Sequence, residues 1–139
     1  MALTYKAAFP QEPRFGYGTA MTANTGLDGT GTITTCFGAG TDGSRIVAID
    51  VGALGTNTAT AVRFFLSADG ATWTYMPGLA GVVPAHTVGA ATADGGTLKV
   101  IARSVEGDFL DIPASYKLGF TNAVTLTAGF VATVSGYDF

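Results

Sequence analysis

Apolar side chains recur at every second position along this 139-residue chain, and nowhere does a 3.6-residue period persist for four helical turns. In RIVAIDVGAL, Val47, Ile49 and Val51 fall on one face, with Ala48 and Asp50 on the other. In ATAVRFFL, Val62, Phe64 and Leu66 align while Arg63 faces away. The longest run places Val124, Leu126, Ala128, Phe130, Ala132 and Val134 on one side, against Thr125, Thr127, Gly129, Val131 and Thr133. At about 3.3 Å per residue, that run is long enough to cross a whole sandwich. The alternation specifies half-buried strands, and an excess of Thr, Val and aromatics over Leu and Glu agrees with it.

Turn residues punctuate the runs. Asp69-Gly70 joins the Arg63–Leu66 run to Trp73–Met76 as a hairpin, because both residues tolerate positive φ. Asp94-Gly95-Gly96 precedes TLKVIAR, Pro113 stands before YKLGF, and Pro84 limits 83–90 to an edge or irregular strand. The chain therefore reads as all-β, an antiparallel β-sandwich that is jelly-roll-like. Its eight or so strands lie near 31–37, 44–52, 60–66, 72–77, 83–90, 97–103, 115–120 and 124–134, in a domain covering 31–139. Residues 1–30 are rich in Gly, Pro and Thr with isolated aromatics, and read as an extended N-terminal arm lying over a surface. No internal repeat of about 20 to 50 residues is present.

Charge narrows the partners. Seven Lys and Arg against ten Asp and Glu give a net charge of −3, and the cations are scattered without a basic stripe. That excludes nucleic acid, which requires clustered neutralisation of phosphates. Leu118 to Tyr137 is uncharged and as long as a bilayer span, but it interleaves Thr, Asn, Gly and Ser as a lipid-facing helix would not. The N-terminus carries Pro10, Glu12 and Pro13 where a signal peptide needs an apolar stretch. The expectation is a soluble, unprocessed protein with no membrane partner.

Reactive groups are sparse. His86 is the single histidine, no serine stands in a GxSxG elbow, and Ser67 and Asp69 adjoin a hairpin tip. Cys36 is the single cysteine, which permits no internal disulfide and reads as a small core filler. No CxxC or HExxH spacing occurs, and Asp28, Asp42, Asp94 and Asp108 each stand beside glycine as turn residues do. Among candidate carboxylates for glycoside hydrolysis, Glu12 is isolated, and Glu106, Asp108 and Asp111 cluster in SVEGDFLDIP, a turn followed by an edge strand. Neither GxxxxGK[ST] nor GxGxxG is present. The reading is a non-enzyme without cofactor or metal. Trp73, Tyr75 and Tyr116 are candidates for stacking on sugars, and Trp73 and Tyr75 share one strand face, which suits a core equally well.

The segments LDGTGTITTCFGAGTDGSRIVAIDV (Leu27 to Val51), TATAVRFFLSADG (Thr58 to Gly70) and the tail DIPASYKLGFTNAVTLTAGFVATVSGYDF resemble the small capsid cement, or head decoration, proteins of tailed bacteriophages. That family runs from an LDGTG start through a GSRI strand, a VRxFL strand with a hairpin, a Pro-aliphatic strand and a Leu-x-aGyxLg strand to a valine-rich strand closing on Gly-Gly-Asp. The likeness covers residues 27–139. This chain departs from it by ending in Ser135-Gly136-Tyr137-Asp138-Phe139 and by carrying Ser115, not glycine, before Tyr116.

The resemblance implies a jelly-roll-like structural virion subunit, made in the host bacterial cytoplasm, that forms a homo-oligomer, commonly a trimer. It would sit on the outer capsid surface, bridge major capsid protein subunits and stabilise the shell against internal pressure. Composition points the same way: with 12% charged and 11% aromatic residues, a monomer would expose apolar area that association covers. Tyr5, Phe9, Arg14, Phe15 and Tyr17 are the expected capsid contacts, since interfaces favour Tyr, Phe and Arg. Two other readings stand beside this one: a head fibre or tail protein of the same fold, and a carbohydrate-binding module recognising host glycans.

Overall fold

Two antiparallel sheets stack face to face in the computed structural model, which describes residues 12–89, 97–101 and 109–139. The strands are β1 (Glu12–Ala20), β2 (Thr34–Gly38), β3 (Ser44–Ala53), β4 (Thr60–Ser67), β5 (Thr74–Val83), β6 (Thr97–Ile101), β7 (Leu110–Ile112), β8 (Lys117–Asn122) and β9 (Phe130–Asp138). One sheet has the order β1-β9-β3-β6, with β7 also on β3; the other has the order β2-β8-β4-β5. Pairing is nested: β4 with β5, β3 with β6, β2 with β8, β1 with β9. A long hairpin of strand pairs has been rolled until β3 meets β9 and β4 meets β8. That is jelly-roll order.

The inner faces supply the core. Ile46, Ile49 and Val51 from β3 and Phe130, Ala132 and Val134 from β9 meet Val62 and Phe64 from β4 and Leu118 and Phe120 from β8. A register shift between Ile46 and Ala48 turns Ile46 inward, so that Val47, expected to share a face with Ile49 and Val51, is only half-buried. A smaller cluster forms on the outer face of the second sheet. There Phe65 is fully buried, Tyr75 lies 5.6 Å from it between ring centroids, and Trp73 and Ile33 crowd Gly119.

Residues 21–33 run over that outer face. Asn24 N–H donates to the Asn122 carbonyl, the Asn24 side chain donates to the carbonyls of Thr30 and Thr32, and Gly29, at φ 83°, presses on the Trp73 carbonyl.

Several expectations shift. Residues 12–20, assigned to the arm, form β1, an edge strand of the sandwich. The strand expected at 124–134 begins at Phe130, because Gly129 at φ 88° closes a turn onto the Leu126 carbonyl and the residues before it lie in a loop. The strand expected at 72–77 runs from Thr74 to Val83, carried past Pro77 by a large bulge in which Met76 opposes Phe64 and Gly81 opposes Val62. Of the segment expected as a strand at 83–90, Val83 ends β5 and His86 forms an isolated bridge with Asn57, among the described residues 83–89.

Candidate functional site

An unpaired sheet edge invites a further strand, and proteins blunt such edges with short strands, bulges, proline or charge. β2 is five residues long and shifts register between Thr35 and Phe37; β5 carries Pro77 and its bulge. β6 presents Lys99, whose Nζ lies 3.3 Å from Asp50 Oδ1, and β7 has three residues. β1 carries Pro13 and the charges of Glu12 and Arg14 at its start, and none of these devices from Phe15 to Ala20. It pairs with β9 over nine consecutive positions without a shift, and on its other side it pairs with no described strand.

The two faces of β1 are unlike. Gly16, Gly18 and Ala20 point inward, where a Cβ on Gly16 would strike the Cys36 carbonyl and one on Gly18 would lie 2.6 Å from that of Thr35. Glycine here lets β1 ride directly on the backbone of β2. Phe15 and Tyr17 point outward at 64% and 68% exposure, their ring centroids 6.3 Å apart, with exposed Tyr137 on the neighbouring strand. Two adjacent exposed aromatics on an edge strand form a surface suited to a macromolecular partner.

Arg14 does different work. Its Nη1 donates to Asp138 Oδ2 at 2.9 Å and its Nη2 to the Gly38 carbonyl at 3.2 Å, while Ser44 Oγ donates to Asp138 Oδ1 at 2.5 Å. The Asp138 side chain, 13% exposed, thus ties β1 to the start of β3. Asp138→Ala breaks two charge-assisted bonds and is expected to cost about 2–3 kcal/mol, part of it screened because Arg14 reaches solvent. Urea titration measures the loss, and hydrogen exchange should show β1 amides opening first. A loss below the error of the titration removes Asp138 as the anchor.

Of the other expected contacts, Tyr5 and Phe9 lie outside the described residues. Glu106 and Asp108 do as well, while Asp111 accepts two bonds from Arg45, at 2.7 and 3.0 Å. Arg45 also stacks on Phe109 at 4.0 Å. His86 exchanges backbone bonds with Asn57, and among the described residues no three His, Cys, Asp or Glu side chains come together as a metal set. Cys36 is buried against the Leu118 carbonyl, and burial pushes its thiol up to about 12. That is the environment of an inert core residue. The sequence missed β1 as a strand; its signal was the alternation Phe-Gly-Tyr-Gly, with the apolar residues on the wrong face for a core.

Ser67 and Asp69 do meet, as a turn. Asp69 Oδ1 accepts from the N–H groups of Thr72 and Ala71 and from Ser67 Oγ, which holds its carboxyl down at about 2, below the ordinary 3.8. A depressed carboxyl stabilises the fold above its unfolded value and loses that contribution as pH falls through the folded one. The amides of Ala71 and Thr72 should therefore keep their protection down to about pH 4 and lose it towards pH 2, and in Asp69→Asn the pH dependence should disappear. Protection in the parent chain that is flat across this window overturns the assignment.

No family model, no curated protein and no solved structure matches this chain.

Proposed function

We propose that the protein is a structural virion subunit, a head decoration or cement protein that lies on the outer surface of a phage capsid and clamps neighbouring major capsid subunits. The observation that carries this reading is β1, a nine-residue edge strand that pairs on one side only among the described residues and presents Phe15 and Tyr17 to solvent. The segments from Leu27 to Phe139 that resemble the cement family support it. Association of copies, as the trimer common in that family, would multiply modest contacts into durable attachment. No bond is made or broken in this role; the chain acts by covering surface.

Titrating purified expanded heads that lack the subunit tests the proposal. The protein should saturate them at icosahedral copy number, seen by cryo-electron microscopy as a regular protrusion, and sedimentation should give a trimer. The double variant Phe15→Ser/Tyr17→Ser should bind about 100-fold or more weakly, since truncating two interface aromatics removes hot-spot energy, with thermal stability unchanged. Absence of binding to heads refutes the role, and unchanged affinity of the double variant refutes the surface.

A further inference from the structure

A concave site of about 380 Å³ opens on the inner face of the second sheet, at the end where β4 turns into β5. Its floor is a continuation of the core. Leu66 pairs with Thr74, and Met76 pairs with the core residue Phe64, so these side chains follow the inner face outward until it meets solvent. Tyr116, from the turn before β8, forms one wall, and Asp69 and Thr72 from the β4–β5 turn form the rim.

The structure separates the three aromatics that the sequence grouped. Trp73 and Tyr75 lie on the outer face of the second sheet, engaged with Gly119 and Phe65, and only Tyr116 faces this opening.

The walls are held in place before any ligand arrives. Asp69 is fixed by its bonds to Ser67, Ala71 and Thr72, and Ser67 Oγ accepts in addition from Gly70 N–H at 2.8 Å. Tyr116 is anchored through its backbone, donating to the Pro113 carbonyl at 3.2 Å and accepting from Ala39 N–H at 2.8 Å. Immediately before it, Ser115 adopts φ 62°, the one non-glycine residue with positive φ among the described residues. Left-handed backbone costs a non-glycine residue about 1–2 kcal/mol. Strain of that kind concentrates at ligand sites, where the surroundings impose it.

The chemistry of the lining selects a ligand class. Apolar side chains and one aromatic ring make the floor and wall; a carboxylate and the exposed Thr72 and Thr74 supply hydrogen-bonding groups at the rim. Among the described residues the lining contains no cation, and the Asp69 carboxylate repels phosphates and carboxylates. A pyranose matches both halves, with an apolar C–H face for Tyr116 and Met76 and hydroxyls for Asp69 and the threonines. The volume falls within the roughly 300–1,000 Å³ typical of small-molecule sites.

We propose that this opening at the end of the second sheet binds a neutral saccharide through one pyranose ring, seated against Tyr116 with its hydroxyls on the rim formed by Asp69, Thr72 and Thr74. The site lies apart from Phe15 and Tyr17 and does not rest on the decoration role.

Nuclear magnetic resonance titration of the whole chain with the methyl glycosides of glucose, galactose, rhamnose and N-acetylglucosamine tests it. At least one should shift the methyl signals of Leu66 and Met76 and the amides of Thr72 and Thr74. Tyr116→Ala should weaken that binding about tenfold or more, the loss expected when a well-packed aromatic contact is removed. Thr74→Val, at an exposed position, should weaken it while leaving the melting temperature unchanged, which keeps the test decisive if Tyr116→Ala fails to fold. Phe15→Ser/Tyr17→Ser should bind the glycoside as the parent chain does. The proposal falls if none of the four glycosides shifts these signals, if binding survives Thr74→Val unchanged, or if choline, an organic cation drawn to Asp69, binds there and the glycosides do not.

Discussion

Gly136→Ala should leave the protein largely unfolded, although it adds a single methyl group. Gly136 is buried in β9 between Arg14 of β1 and Ile46 of β3, and a Cβ there would collide with the Arg45 carbonyl and lie 2.9 Å from the Ile46 Cα. Both obstacles are backbone, so no side-chain rotation relieves them. The sheet has to part along β3–β9, its central seam, or β9 has to shift register and turn its apolar face outward. Either route places the substitution among the exceptional losses of about 4 kcal/mol or more. That is a large share of the roughly 5–15 kcal/mol that holds a domain together. Gly38→Ala is the control, because an added Cβ there meets nothing within 4 Å. Circular dichroism and thermal melts read both. A Gly136→Ala protein melting within a few degrees of the parent would mean that the bulge between Ile46 and Ala48 yields, and the clash would lose its force.

Phe64→Ala comes next in size. Phe64 is fully buried at the centre of β4, opposite Phe120 on β8 and Met76 on β5, with its ring centroid 6.0 Å from that of Phe120. Truncation removes the transfer free energy of the ring and leaves a cavity that two hydrogen-bonded neighbours cannot close. The expected loss is about 3–5 kcal/mol. Chemical denaturation should show the midpoint falling with the slope preserved, the mark of a weakened native state. A loss under about 1.5 kcal/mol, the range of well-tolerated core swaps, would mean that the interior rearranges freely and that Phe64 is no keystone.

These two residues also mark how far the sequence could be read. Where the inner face is built from large apolar side chains, alternation located the strands closely: β3, β4 and β6 begin within a residue of their expected positions. β1 escaped because its inward residues are Gly16, Gly18 and Ala20. Burial there is achieved by backbone meeting backbone, which leaves no hydrophobic trace, and the residues that do look apolar are those facing water. At the other end the signal misled: Val124, Leu126 and Ala128 continue the pattern of β9, but the chain turns at Gly129 and only the later part is strand. Periodicity reports which residues alternate and is silent on where a glycine adopts positive φ.

The sites divide in the same way. Phe15 and Tyr17 drew notice in the sequence from their type alone, and the structure adds that both are exposed, whereas the role of Arg14 depends on Asp138, 124 positions away. Tyr116 was legible as a possible sugar contact, yet its separation from Trp73 and Tyr75 follows from which face of which sheet each occupies. Local spacing carries no such information. Ser115 is the clearest case: the departure from glycine before Tyr116 is visible in the sequence, and its meaning emerges with the φ of 62°.

The nested pairing has a consequence for the order of events when the chain folds. Of the four nested pairs, only β4 and β5 are joined by a short turn; each successive pair brings together more distant stretches, ending with β1 on β9. Closing large loops is slow, and it becomes favourable only once the inner pairs are in place to receive the outer ones. The strand that presents Phe15 and Tyr17 is therefore the last to arrive. A half-finished molecule lacks the Phe15 and Tyr17 surface and exposes the edge of β9 instead, so a shell built through β1 would admit finished copies alone.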